Sequence, residues 1–367
     1  MRNKSKIILI SGTAGRLVDF EKSGFFNRQK RLIAEYSTYF DVEYYTSDIN
    51  DYSSELDVEH HPLPLKINIY GVRHLLFWLY LIWRAWHMEA PIRVFGVAIP
   101  ILPLIKLLSG QKLIVGFQWD YASVTKANYS GLKRWLAGTL QAAGLKSADL
   151  VICTTEQLKE IVEKKYKKPV EIVPNFVDTE LFQREPKKGN FVLYAGRLHW
   201  AKGIDYLIRA FGMLKKKVKN ARLVICGDGD SAQALKKLTE DKSISDVDFL
   251  GVIGQDRLAH LMAQAKAFIL PTVNYEGHPK VLIEAMACGT VCIATDIPGS
   301  RDLIDHRKNG LLVQPKDYKG LYEALTLIYK NENFRRSLEK NAYLYSIRNF
   351  SIKSTLKKEV KLLRNWI

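Results

Sequence analysis

The sequence predicts an α/β protein of two Rossmann-like domains, each a doubly wound parallel sheet, facing one another across a cleft. Three observations carry that prediction. Short apolar runs rich in β-branched residues alternate with segments of helical period along nearly the whole 367-residue chain, and uninterrupted apolar runs mark parallel strands covered on both faces. The alternation stops once, in a stretch dense in proline and charge, and then restarts. With 47% of its residues apolar, a chain of this length can bury two cores.

In the first half the expected strands are KIILIS, DVEYYTS, IRVFGVA, KLIVGFQ and ADLVICTT, with NRQKRLIAEYSTYF and the apolar stretch 69–89 as helices between them. The segment YKKPVEIVPNFVDTELFQREPKKGN reads as the connection between domains. The second half runs NFVLYAGRL, ARLVICGDG, VDFLGVI, AFILPT, TVCIATD and GLLVQP as strands. Helices such as GIDYLIRAFGMLKKK and PKVLIEAMA separate them. The expected organisation is an N-terminal domain over 1–175, a second over 176–345, and a terminal amphipathic helix over 346–367 that packs back on the first domain.

A formal charge of +17 implies anionic partners, whether nucleic acid, acidic headgroups or phosphorylated small molecules. Cys153, Cys226, Cys288 and Cys292 lie in apolar runs without metal or redox spacing, so reduced core thiols in a cytoplasmic protein are expected. The basic N-terminus is followed by only a short apolar run before Ser11, which reads as a first strand rather than a signal segment.

The stretch YEGHPKVLIEAMACGT sets Glu276 and Glu284 on either side of a Gly-His-Pro-Lys turn. Pro279 suits the first position of a helix, Gly289 its end, and the N–H groups around His278 to Val281 then form an anion site beside Lys280. Glu284 falls about 7 to 8 Å along the helix from Pro279. The two carboxylates could read hydroxyls on two sugars with phosphate between them; a dipole-stabilised glutamate and a core-edge glutamate is the alternative. LYAGRLHWAKGI adds Arg197 and Lys202 in the loop after the first strand of this domain, where two cations could clamp a diphosphate.

Together these motifs resemble the nucleotide-binding domain of glycosyltransferase family 4, enzymes of the GT-B architecture. The pattern Gly-Arg-Leu then Lys-Gly is matched by Gly196, Arg197, Leu198, Lys202 and Gly203. Glu-Gly with its second Glu and Ala-Met-Ala is matched by Glu276, Gly277, Glu284, Ala285, Met286 and Ala287. PNFVDTELF and the Gly227-Asp228-Gly229 turn also fit, and the resemblance is most specific from about 150 to 315. It implies that Arg197 and Lys202 contact the donor diphosphate, Glu284 the ribose and Glu276 the transferred sugar, with backbone groups of Gly277, His278, Pro279, Lys280 and Val281 completing the site. Arg197, Lys202 and Glu276 would be the catalytic set. Thr290 departs from the family's usual proline and Asp302 from its common glutamate.

The resemblance further implies a glycine loop in the first domain, matched by Gly24, with Gly12 and Gly15 as competing candidates. At the strand end FQWDY, where the family often has a histidine, this chain offers Gln118 and Asp120 as acceptor contacts. It implies retention by front-side attack, with charge stabilisation as the main catalytic contribution and neither metal nor cofactor. DGD at 228–230 reads as a turn after a strand rather than a metal motif.

The stretch 69–89 is dense in aromatics but too short to span a bilayer. Arg73, Phe77, Tyr80, Arg84 and His87 share one face of its helical wheel. It reads either as a helix buried on the first sheet or as one lying at a membrane interface with snorkelling arginines. The expected function is an EC 2.4-class hexosyl- or related glycosyltransferase acting from a UDP- or GDP-sugar on a glycan or lipid-linked glycan. It would sit in the cytoplasm, with peripheral contact on the acidic membrane face left open. A sugar-nucleotide epimerase of similar architecture and a basic nucleic-acid-binding protein are the alternatives; no nucleic-acid module is recognisable, so nucleic acid is not an expected partner.

Overall fold

The computed structural model describes residues 4–11, 25–48, 50–65, 70–96, 100–118, 131–186 and 188–366. The chain divides into two compact units, one of Met1–Pro174 with Leu356–Ile367 and the other of Asn175–Thr355.

The first unit holds a parallel sheet of β1 (Lys6–Ile10), β2 (Asp41–Tyr45), β3 (Glu59–His61), β4 (Ile92–Val94), β5 (Leu113–Phe117), β6 (Leu150–Cys153) and β7 (Val170–Ile172), in the order β3-β2-β1-β4-β5-β6-β7. The central strands are buried along their length, Ile7 to Ile10 and Leu113 to Val115 all at zero exposure, as continuous apolar runs require. The three-residue edge strands β3 and β7 do not show in the sequence pattern. The latter is cut from what reads as interdomain connection, because PVEIV pairs with β6 from Val170 to Ile172.

The terminal helix Ile352–Trp366 begins after Ser351, where the helix Glu332–Phe350 ends in extended backbone. Its Glu359 accepts from Arg93 Nε on β4 at 2.8 Å, both side chains buried. The guanidinium also donates to the Val94 carbonyl at 2.7 Å and lies 5.0 Å from the Phe95 ring.

The second unit repeats the plan with β8 (Phe191–Ala195), β9 (Arg222–Cys226), β10 (Val247–Gly251), β11 (Ala267–Leu270), β12 (Val291–Thr295) and β13 (Leu311–Val313), ordered β10-β9-β8-β11-β12-β13 and parallel throughout. Strand order reverses between β8 and β11. Loops leaving neighbouring strands there part to opposite faces, which opens a crevice at the carboxyl ends of the strands.

The four cysteines are buried free thiols. Burial pushes the Cys226 thiol up to about 11, and those of Cys153 and Cys288 up to about 12, so they pack as small apolar groups.

Candidate functional site at a strand switch point

Two loops form the crevice of the second unit. The first leaves β8 at Gly196, whose φ of 154° suits glycine, and runs through Arg197 to the single 3-10 turn Trp200–Lys202. His199 caps that turn by accepting from the Ala201 N–H at 3.2 Å. Gly203 then takes φ 64°, and any Cβ there would stand 2.2 Å from the Pro271 carbonyl. The turn is thus pressed onto the second loop, and the Val273 N–H donates to the Ala201 carbonyl at 2.9 Å.

The Gly-Asp-Gly turn after β9 is the floor of the first loop. A Cβ on Gly227 would meet the Gly196 carbonyl at 1.9 Å, and one on Gly229 the Leu198 carbonyl at 2.3 Å. The Leu198 N–H donates to the Asp228 carbonyl at 2.9 Å. Close backbone approach is what these glycines provide, and the motif acts as a turn, as its place after a strand predicts.

The second loop leaves β11 and brings Glu276 to Lys202. The Lys202 ammonium pairs directly with Glu276 Oε1, and the Thr272 hydroxyl donates to the same oxygen at 2.7 Å. Glu276 is buried while Lys202 keeps part of its surface. The carboxylate is therefore desolvated but answered twice, which fixes its direction. Thr295, at the end of β12, donates to the Thr272 carbonyl at 2.5 Å. Beneath the loop, a Cβ on Gly299 would come within 2.4 Å of the Glu276 carbonyl and 2.1 Å of the Gly277 carbonyl. Behind β8, the Tyr194 hydroxyl donates to the Arg197 carbonyl at 3.0 Å; burial, and then the Glu276 charge, push its phenol well up.

Sequence reasoning passed over Tyr194, Thr272, Thr295 and Gly299. Each sits at or just beyond the carboxyl end of β8, β11 or β12. A threonine closing a strand beside the switch point is the signal that could have found two of them.

The helix of this loop runs Lys280–Ala287. Pro279 does not open it as first helical residue: its ψ of 107° is extended, and it stands as the N-cap while the Leu282 N–H returns to its carbonyl at 3.1 Å. A proline cap has no side-chain acceptor, so the opening N–H groups are helix-start donors with the dipole behind them. Lys280 and Val281 are partly exposed at that start, and Glu284 is buried one turn on. Gly289 at φ 60° ends the helix, with the Thr290 N–H donating to the Ala285 carbonyl at 3.1 Å.

Thr290 thereby acquires a use that proline could not serve, since proline has no N–H. Its hydroxyl donates to the Met262 carbonyl at 2.5 Å and accepts from Lys188 at 3.0 Å. Burial draws the Lys188 ammonium down to about 8.

His278 takes part through its backbone. Its carbonyl accepts from Asn175 Nδ2 at 2.7 Å, and its buried ring meets Phe350 edge-on at 5.5 Å. Burial, helped by the Lys280 charge, holds its imidazole down at about 4, so it is neutral at ordinary pH.

The second unit thus brings together Lys202, Glu276, Gly277, His278, Pro279, Lys280, Val281 and Glu284 around one strand switch point, with Arg197 exposed on the first loop. Of the residues assigned to the first unit, Gln118 is partly exposed just past β5. Gly12, Gly15, Gly24 and Asp120 lie outside the described residues.

Comparison with known proteins places the chain by family and fold. The family model described as Glycosyltransferase Family 4 matches residues 38–181, and that described as Glycosyl transferases group 1 matches 178–345. An uncharacterized glycosyltransferase of Methanocaldococcus jannaschii is 35% identical over 41% of this chain and 38% of its own. An undecaprenol-diphosphate-linked glycan N-acetylgalactosaminyltransferase of Campylobacter jejuni is 33% identical over 50% of this chain and 51% of its own. The chain spans about half or less of the length of these curated relatives.

Among solved structures, sucrose-phosphate synthase from Thermosynechococcus elongatus superposes with a TM-score of 0.77 at 20% identity, over 98% of this chain and 99% of that one. Anabaena HepE in complex with UDP and glucose gives 0.76 at 16%, with 98% and 99% covered. Matched motifs, two family models and a shared two-sheet architecture together show that the chain belongs to the family 4 glycosyltransferases, with the GT-B fold.

Proposed function

We propose that the protein transfers a sugar from a nucleotide-sugar donor, a UDP- or GDP-sugar, to a glycan or lipid-linked glycan acceptor, with retention and without metal. The observation that carries this reading is the buried Glu276 held by Lys202 and Thr272 at the start of a helix. A cation, a fixed carboxylate and helix-start N–H groups at one switch point suit a ligand that carries hydroxyls next to phosphate. Relatives whose names state glycan transfer, and the HepE structure with UDP and glucose, support the donor class.

In this reading Lys202 and Arg197 meet the diphosphate, and their charge stabilises the leaving group as the anomeric C–O bond breaks. Two cations supply there the neutralisation that a divalent ion would otherwise provide. Glu276 orients the sugar by accepting from its hydroxyls, and Glu284 accepts from the ribose. The acceptor hydroxyl attacks from the face the leaving group departs, and its proton passes to the diphosphate. Gln118 and Asp120 would meet the acceptor, and Gly24 the donor phosphate. A lipid-linked acceptor would bring the protein from the cytoplasm to an acidic membrane face.

The test is incubation of labelled nucleotide sugars with and without glycan and lipid-linked acceptors. Label appearing in the acceptor, with its anomeric configuration kept and with EDTA present, is the expected result. Isomerised donor in the absence of acceptor would replace transfer with epimerisation.

A further inference from the structure

We propose that the first unit docks on an anionic lipid bilayer through a face built by three neighbouring helices, Tyr70–Ala85, Leu102–Ser109 and Leu132–Ser147. The middle helix packs against each of the others. From the three, Leu75, Leu79, Trp83, Leu107 and Trp135, with Trp86 just past the first helix, are 54% to 76% exposed. The residues 75, 79, 83 and 86 follow helical spacing, so they form one stripe.

The first helix is apolar on its outward face as well as its inward one. Its inward stripe carries Arg73 at 2% exposure and Phe77 at 3%, and Arg84 donates from Nη2 to the Tyr45 hydroxyl at 2.9 Å. A helix bordered by water puts its arginines out and its leucines in. Here the inward face, with Phe77, Leu81 and Ala85, is apolar as expected, and the outward stripe of Leu75, Leu79 and Trp83 is apolar as well, where polar side chains belong. Contiguous exposed apolar surface of this kind marks an interaction site.

Charge chooses the occupant. The chain carries a formal charge of +17, and the three helices hold no aspartate or glutamate; Arg73 is buried, Arg84 turns to Tyr45, and the exposed Glu89 lies just past the first helix. Lys106 pairs with Asp149 and Lys146 is exposed. Exposed tryptophan and leucine on a chain of strong positive charge suit an element lying in the headgroup zone of an anionic membrane. Among the described residues no helix is long and apolar enough to cross a membrane, so this face lies on the bilayer. The inference rests on the membrane part of the proposed function and is independent of sugar transfer.

The experiment is flotation of the full chain with vesicles of phosphatidylcholine alone or with phosphatidylglycerol, at low and high salt. The wild-type protein is expected to float with the phosphatidylglycerol vesicles, with its tryptophan emission shifted to the blue. The combined Trp83→Ser, Trp86→Ser, Leu107→Ser variant should lose about tenfold or more in vesicle affinity. Its melting temperature, with and without UDP, should match the wild type, which separates docking from folding and from the donor site. Absence of flotation at low salt, equal binding by the variant, or self-association abolished by the same substitutions would each overturn the proposal; the last would assign the face to a second copy of the chain.

Discussion

The two units are built on the same doubly wound plan and put their buried polar groups to different ends. In the first, Arg93 holds Glu359 of the terminal helix, and Arg84 reaches Tyr45, whose hydroxyl stands 3.2 Å from Glu43. These groups fasten one element to another. In the second, Lys202, Glu276, Thr272 and Thr295 collect at the carboxyl ends of β8, β11 and β12, beside the point where strand order reverses. The outer surfaces differ as well: tryptophans and leucines emerge from three joined helices of the first unit, whereas among the described residues of the second the exposed large apolar side chains are Trp200, Val252 and Leu344, far apart along the chain. A shared scaffold leaves function to strand-end loops and to outward faces.

Five substitutions, in falling order of expected effect, set the units against each other. The largest effect is expected from Lys202→Ala or Glu276→Ala, which should each lower kcat/KM for transfer by about 10²- to 10³-fold while the melting temperature stays within a few degrees, as loss of a charge-stabilising group does. Next, Glu359→Ala should cost about 3 kcal/mol in denaturant unfolding by leaving Arg93 buried and unpaired, yet leave UDP affinity unchanged. If it weakened UDP binding as strongly as Lys202→Ala, the division between fastening and function would fail.

His278 gives a pH signature. Its pKa in the folded state, about 4, lies below the ordinary value near 6.5. Its contribution to stability is therefore complete above about pH 6.5 and is lost as pH falls toward 4. Between pH 7 and 5 this removes about 2 kcal/mol, and His278→Phe should flatten that part of the profile in thermal melts. The smallest effect belongs to Thr272→Val, which leaves Glu276 with Lys202 alone and should lower kcat about tenfold. Restoration by Thr272→Ser would show that the hydroxyl positions the carboxylate.

Much of this was legible in the sequence. Apolar runs located the long strands because burial on both faces demands them, and Gly-Arg-Leu with Glu-Gly located the two loops that Lys202 and Glu276 join. What stayed hidden depends on distance along the chain. Arg93 and Glu359 are 266 residues apart, and nothing local pairs them. Thr272 and Gly299 look like loop residues until β11 and β12 set them under Glu276. The aromatic helix shows most plainly where pattern ends: its wheel puts Arg73, Phe77 and His87 on one face, but only packing decides that Arg73 and Phe77 are buried while His87 is exposed. Pro279, suited by composition to the first helical position, stands one residue earlier because its backbone is extended.

The most direct test of the proposed diphosphate site in the second unit is a thermal-shift comparison of the wild type with Lys202→Ala and Glu284→Ala in UDP, GDP and ADP and their sugars. A ligand that binds only the folded state at about 100 times its Kd adds about 2.7 kcal/mol, which raises a melting temperature by roughly 5 to 10 °C for a domain of this size. The wild type should show that rise with one nucleotide class, and both variants should lose most of it. An equal rise in all three proteins would place the nucleotide elsewhere and contradict the site.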